Sequence, residues 1–188
     1  TKVRTLQPES VPKVLVSDTV GFIKNLPHGL VASFKSTLDE AFSSSLLLHV
    51  IDAGDLGLEA QLEVIDKVLV EIGADSVPRI GVFNKIDYLD DPAAQAKRTA
   101  ELEEKYPGCM VLSARSKNDI TALHQVIMHA LQQHLIEIEL FLPWPAQHLR
   151  GDIFASCEVL EERADAAGAF FRLRAAPDVI ARLSEFST

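Results

Sequence analysis

Apolar residues recur along this chain in short continuous runs. "KVLVS" (13–17), "LLLHVI" (46–51), "RIGVF" (79–83) and "MVLS" (110–113) are each rich in Leu, Ile or Val and bounded by polar or small residues. Continuous rather than alternating apolar character predicts strands covered on both faces, as in a parallel sheet. Between the runs the period lengthens. Leu30, Phe34, Leu38 and Phe42 fall four apart, and Leu62, Ile65, Leu69 and Ile72 fall three or four apart, so each set lines one face of a helix that packs on a sheet. Further helices are predicted over about 93–105 and about 119–135. Strand and helix in alternation predict right-handed βαβ units and a doubly wound α/β domain over residues 1–135. Such sheets bind ligands beyond the carboxyl ends of their strands.

After residue 135 the pattern changes. "IEIELFLP" alternates like a half-buried strand, "WPAQHLRGDIFASC" reads as helical, and "EVLEERADAAGAFFRLRA" reads as two strands joined by a turn at Asp165 to Gly168. A last helix begins near Pro177, with proline in its first turn. The β-α-β-β-α order predicts a small α+β domain of ferredoxin-like character over residues 136–188.

Composition narrows the class. At 188 residues, 47% hydrophobic and 24% charged, the chain has enough apolar material for a full core. No apolar run approaches the roughly 20 residues of a membrane span, and "TKVRTLQPES" lacks the apolar stretch of a signal peptide, which predicts a cytoplasmic chain. A net charge of −9 repels phosphate backbones, so no direct nucleic-acid contact is expected of these residues. Cys109 and Cys157 have no zinc-type spacing around them and read as core thiols. His124, His129 and His134 recur every five residues, which rotates them around a helix instead of stacking them as metal ligands.

Three motifs sit just past three of the predicted strands. Asp18-Thr-Val-Gly21 follows the first, Asn84-Lys85-Ile-Asp87 the third, and Ser113-Ala114 the fourth. Taken singly, each has a plain structural reading, since Asn and Asp cap helices and loops. In this order at strand ends they form a chemical set. A carboxylate at Asp87 accepts from both N1–H and the exocyclic amine of guanine, whereas adenine presents a lone pair at N1; buried polar sites of this kind discriminate by about 10⁴ or more. Lys85 would lay its aliphatic stem along the base, Asn84 would tie the neighbouring loops, and Ala114 would offer its amide to the guanine O6. Asp18 suits an acid that holds Mg²⁺ through water, and Gly21 lets its amide approach a γ-phosphate with no Cβ in the way. Asp52 and Asp55 read as loop-solvating or capping residues, and His49 as a hydrogen-bonded core histidine.

The stretches "LVSDTVGFIKNLPHGLVASFKSTLDEA", "LLLHVIDAGD", "VFNKID" and "LSA" together resemble the HflX family, GTPases of the translation-factor class that bind the large ribosomal subunit. The resemblance is close over about residues 1–135 and looser beyond. It implies a P-loop GTPase fold, binding of GTP or GDP with Mg²⁺, GTP hydrolysis, and association with the ribosome mainly through regions outside these residues. The phosphate-cradling G-x-x-x-x-G-K-[ST] is absent from the sequence. In the family that loop and its strand, and the switch threonine that ligands Mg²⁺, precede the D-T-V-G strand. These residues are therefore expected to be part of a longer polypeptide and to bind GTP weakly by themselves.

Phe22 follows the D-x-x-G glycine where Ras-like enzymes place a water-orienting Gln, and a phenyl ring has neither donor nor acceptor for that task. Intrinsic hydrolysis is expected to be slow, and no catalytic residue is assigned. The alternatives are a non-hydrolysing guanine-nucleotide-sensing or protein-interaction module on the same sheet, and a base-recognising half-site without phosphate affinity.

Overall fold

Strand β3 (Leu47–Asp52) runs parallel to β4 (Arg79–Asn84) in unbroken register from Leu47 opposite Arg79 to Asp52 opposite Asn84. Strand β5 (Met110–Val111) pairs in parallel with the other edge of β4, giving the order β3-β4-β5. This computed structural model describes residues 2–8, 10, 13–18 and 43–184. All three strands therefore end at one edge, and the loops that leave β4 and β5 there are neighbours.

The crossovers are helical, as parallel pairing requires. Helix α1 (Leu58–Glu71) follows β3 and α2 (Pro92–Lys105) follows β4. Helix α3 (Lys117–Gln132) follows β5. Asp91 caps α2 by accepting the Ala93 amide at 3.0 Å, with Pro92 supplying a first-turn φ that is already helical. Helix α1 stops at Gly73, whose φ of 74° lets the amide of Ala74 turn back to the Leu69 carbonyl at 2.8 Å. Ile51, Ala53, Leu58, Phe83 and Leu102 form the buried core, with Tyr106 tilted against Phe83 at 5.2 Å between ring centroids. The five buried residues come from β3, the loop after it, α1, β4 and α2, so the same packing that stabilises the sheet also fixes the ends of β3 and β4.

A second sheet is built from β6 (Ile136–Pro143), β7 (Glu158–Ala164) and β8 (Gly168–Ala175) in the order β6-β8-β7, with both outer strands antiparallel to β8. A 3₁₀ turn (Trp144–Leu149) and helix α4 (Arg150–Ser156) connect β6 to β7, and α5 (Pro177–Ser184) closes the unit. The stretch from Trp144 expected to be one helix is thus 3₁₀ first and α only from Arg150. Pro145 lies in the first turn, where a missing amide costs no helical bond.

Alternation along β8 sorts its residues cleanly. Ala169, Phe171, Leu173 and Ala175 are buried, and pack in one cluster with Ile153, Cys157 and Leu183, while Phe170, Arg172 and Arg174 face water. On the wet face Arg172 lies 3.8 Å from both Glu137 and Glu161, and Arg174 lies 3.3 Å from Glu137. These ladders satisfy the polar face at little net stabilisation, since exposed pairs contribute about 0–1 kcal/mol. Gly168 begins β8 because a Cβ there would stand 2.4 Å from the Leu142 carbonyl oxygen and 2.8 Å from the Phe141 ring.

Strand β2 (Leu15–Asp18) corrects one expectation. It pairs antiparallel with β1 (Lys2–Thr5), Lys2 opposite Asp18, and forms a separate two-stranded sheet among the described residues instead of joining the parallel one. The alternating "KVRT" stands only nine residues before β2, so antiparallel pairing closes a short loop, whereas a parallel partner needs a long crossover. The expected helix carrying Leu30, Phe34, Leu38 and Phe42 lies outside the described residues. By contact density the chain divides into a unit from Val20–Leu131 and a unit from Thr1–Thr19 with Gln132–Thr188.

Candidate functional site

Asn84 is the last residue of β4, and its backbone carbonyl still belongs to the sheet edge, accepting the Ala53 amide at 2.8 Å. Its side chain reaches the next loop. Asn84 Oδ1 accepts the Lys85 amide at 2.7 Å and the Ala114 amide at 2.9 Å, so one carboxamide oxygen ties together the loops that follow β4 and β5. The Ile86 amide adds a second tie by donating to the Leu112 carbonyl at 3.3 Å.

Lys85 sits at φ 68°, the one positive φ among the described residues other than glycine. A side chain in that region costs about 1–2 kcal/mol, and such strain persists only where neighbours determine the conformation. Here the Asn84 oxygen holds the Lys85 amide and the left-handed turn sends the chain directly into the 3₁₀ turn Ile86–Tyr88. Asp87 is thereby carried to the same edge. Lys85 Nζ donates to Asp52 Oδ2 at 3.0 Å, which raises the lysine pKa through that hydrogen bond, and it lies 5.9 Å from the centre of the Tyr88 ring. Asp52 also accepts the Gly54 amide at 3.0 Å, so the residue read from sequence as a loop cap is both that and the partner of Lys85.

Ser113 is buried at 6% exposure. Its amide donates to Asp119 Oδ2 at 2.8 Å and its hydroxyl accepts the Arg115 amide at 3.2 Å. Asp119 is placed by the start of α3, where its own amide donates to Ser116 Oγ at 3.3 Å in the manner of a helix N-cap. The Ser113 hydroxyl is also the main influence that holds the Asp87 carboxyl below its usual range, with smaller help from the backbone of Asp87 and then from Arg115. Arg115 Nη1 approaches Asp87 Oδ2 at 3.4 Å, Nη2 lies 3.3 Å from the Tyr88 hydroxyl, and the guanidinium carbon stands 5.1 Å from the Tyr88 ring centre.

Asn84, Lys85, Asp87, Ser113 and Ala114 are therefore brought together at the carboxyl edge of β4 and β5. The Ala114 amide, expected to face a ligand, donates to Asn84 Oδ1. Asp18 ends β2 as an exposed carboxylate opposite Lys2 and belongs to the other unit; Gly21 and Phe22 lie outside the described residues. Asp52, Tyr88, Arg115 and Asp119 are additions that the sequence motifs did not single out. Ser116-x-x-Asp119 ahead of the apolar run of α3 is the one local signal, as a capping box, that marks an addition.

Chemically, the edge offers one ionised carboxylate on a rigid turn, an aliphatic lysine stem beside it, and an amide held by a carboxamide. Such a set has the acceptor, the apolar stem and the donor that a planar heterocycle with adjacent N–H donors and a neighbouring carbonyl could pair with.

No family model matches the chain. Among curated proteins it is 50% identical over 183 residues to the GTPase HflX of Gluconacetobacter diazotrophicus, an alignment covering 97% of this chain and 40% of that protein. It is 38% identical to the GTPase HflX of Escherichia coli over 80% of this chain and 35% of the relative. With that of Caldanaerobacter subterraneus it shares 32% identity over 97% of this chain and 40% of the relative. The chain thus spans about two fifths of the curated relatives it matches. Among solved structures, a mutation variant of SsGBP superposes with a TM-score of 0.54 at 28% identity, covering 70% of this chain and 47% of the other. Identity of 50% across nearly all of these residues places the chain in the HflX family of GTPases.

Proposed function

We propose that the edge of β4 and β5 binds the guanine base of GTP or GDP, and that the whole protein is a GTP-hydrolysing switch that associates with the large ribosomal subunit in the cytoplasm. The observation that carries the reading is the convergence of the Lys85 and Ala114 amides on the single acceptor Asn84 Oδ1, with Asp87 carried to the same edge by the turn that follows Lys85. Asp87 supplies the acceptor for N1–H and the exocyclic amine. The Lys85 stem, fixed at its head by Asp52, lies along one face of the base. On binding, the Ala114 amide is shared between Asn84 and the guanine O6, a three-centre arrangement that leaves the loop tie in place.

Mg²⁺ fits the remaining candidate. Asp18 is an exposed hard oxygen donor at a strand end, and Mg²⁺ is commonly held by one or two carboxylates with waters and phosphate oxygens completing the shell. Asp18 would hold the ion, which would supply neutralisation of phosphate charge, and Gly21 would offer its amide to the γ-phosphate. The β6-β8-β7 sheet with its two helices is read as the ferredoxin-like C-terminal domain from residue 136, and residues 1–135 as part of a GTPase domain. No helix among the described residues is long and apolar enough to cross a membrane.

Calorimetry with GDP and ADP tests the reading, on these residues and on the polypeptide at the length of its relatives. Tight, guanine-selective binding by the longer protein and much weaker binding by residues 1–188 is expected, because base contacts alone leave the phosphates without a backbone cradle. Equal affinity of the longer protein for GDP and ADP would reject the site.

A further inference from the structure

We infer that Arg115 occupies the base-recognition carboxylate when no nucleotide is bound, so that guanine enters by displacing an internal mimic of itself. The inference rests on the proposed guanine site. Its chemistry is direct: the N1–C2–N2 edge of guanine is a guanidine, and an arginine side chain presents the same fork of N–H donors to a carboxylate. Arg115 Nη1 is 3.4 Å from Asp87 Oδ2, on the carboxylate that would otherwise accept the base. The guanidinium is also positioned by Tyr88, with its carbon 5.1 Å from the ring centre and Nη2 3.3 Å from the hydroxyl. Two neighbours thus hold one planar cation where a planar base is to bind.

The residue is built to leave. Its backbone is pinned, because the Arg115 amide donates to the buried Ser113 hydroxyl at 3.2 Å, whereas its side chain is 73% exposed. A single long contact between an exposed guanidinium and a half-buried carboxylate is weak and screened by salt. Arg115 therefore does not close the site. It competes with the incoming base, and keeps Asp87 paired in the empty protein.

The test is stopped-flow association of a fluorescent GDP derivative with the polypeptide at the length of its relatives. Arg115→Ala should associate about 2–5-fold faster at low ionic strength, with dissociation unchanged, and the advantage should shrink toward unity by ~0.5 M salt. Arg115→Lys should behave like the alanine variant, since a point charge cannot bridge Asp87 and the Tyr88 hydroxyl as a fork does. In an Asp87→Asn background probed with the xanthosine derivative, Arg115→Ala should alter association by less than about 1.5-fold, because the charged partner is gone. Unchanged or slower association in Arg115→Ala, or faster dissociation, overturns the inference and makes Arg115 a spectator or a base contact. Failure of the guanine site itself would look different: Asp87→Asn would leave the preference between guanine and xanthine unaltered whatever Arg115 did.

Discussion

Asn84 Oδ1 accepts the amide of Ala114, 30 residues further along the chain, at 2.9 Å, while holding the adjacent Lys85 amide at 2.7 Å. One side-chain oxygen thus joins the ends of two neighbouring parallel strands at the place where a ligand of such a sheet binds. The β4–β5 pairing that it extends is short, only Val82 with Met110 and Phe83 with Val111, so the loops beyond depend on this link more than on the ladder.

Asn84→Ala is accordingly expected to lose two hydrogen bonds and about 1–3 kcal/mol of stability, at roughly 0.5–1.5 kcal/mol for each bond. Guanine-nucleotide binding should suffer more than folding, because Ala114 and Asp87 would no longer be held in one arrangement. Urea denaturation and nucleotide competition on the same samples check this. Equal nucleotide affinity in a measurably destabilised variant would mean that the tie is structural only.

Asp87→Asn is expected to weaken GTP binding and strengthen binding of xanthosine triphosphate, since an amide donates to the xanthine oxygen that replaces the guanine amine. For the wild type, the Ser113 hydroxyl first and Arg115 among the smaller causes keep the Asp87 carboxyl ionised below the usual carboxylate range. A group with a depressed pKa loses its contribution only as pH falls through that lowered value. Guanine binding should therefore stay flat from pH 8 to about pH 5. Competition at several pH values reads both effects, and a fall in affinity already at pH 6 would assign recognition to some other group.

The parallel sheet, its helices and the motif positions were legible because each rests on local pattern. Continuous apolar runs gave β3, β4 and β5, and "NKID" after one of them located the edge. Alternation in "IEIELFLP" likewise announced the strand β6. What was not legible depends on distant partners. The pairing of Lys85 with Asp52 spans 33 residues, and that of Arg115 with Asp87 spans 28, so neither has a sequence period to reveal it. The partner of β2 was not legible for a different reason. An apolar run shows that a segment is a strand but says nothing of which neighbour it takes, and the nearby "KVRT" offered the shorter loop.

Gly168→Ala should destabilise the C-terminal sheet by about 1–3 kcal/mol, the usual cost of overpacking. The obstacle is largely backbone: the added methyl would meet the Leu142 carbonyl oxygen at 2.4 Å, and β6 and β8 are paired at that point, Pro143 opposite Gly168. The Phe141 ring, tilted against Phe170 at 4.7 Å between centroids, blocks the other side. Phe141→Ala in the same background removes the ring but not the carbonyl, so it should restore only part of the loss. Full restoration in thermal melts would show that the ring alone excludes a side chain at 168.

The last prediction concerns His49, on β3 opposite Gly81. It was expected to be a hydrogen-bonded core histidine, yet its Nε2 is enclosed without a hydrogen-bond partner. Burial, and then the charge of Arg79, push its pKa below the ordinary imidazole value of about 6.5, against a smaller opposing pull from Asp66, which is itself paired with Arg79 at 2.5 Å. Below that ordinary value the unfolded chain takes up a proton that the folded chain refuses, so stability must fall as pH drops through this window and recover as it rises. His49→Leu removes the titration and suits an apolar strand position. The melting temperature of the wild type should therefore decline more steeply between pH 7 and pH 5 than that of His49→Leu, with the two curves converging in slope above pH 7. Parallel curves across the whole range would show that the imidazole keeps its proton equilibrium on folding, and that the enclosed Nε2 finds water in solution.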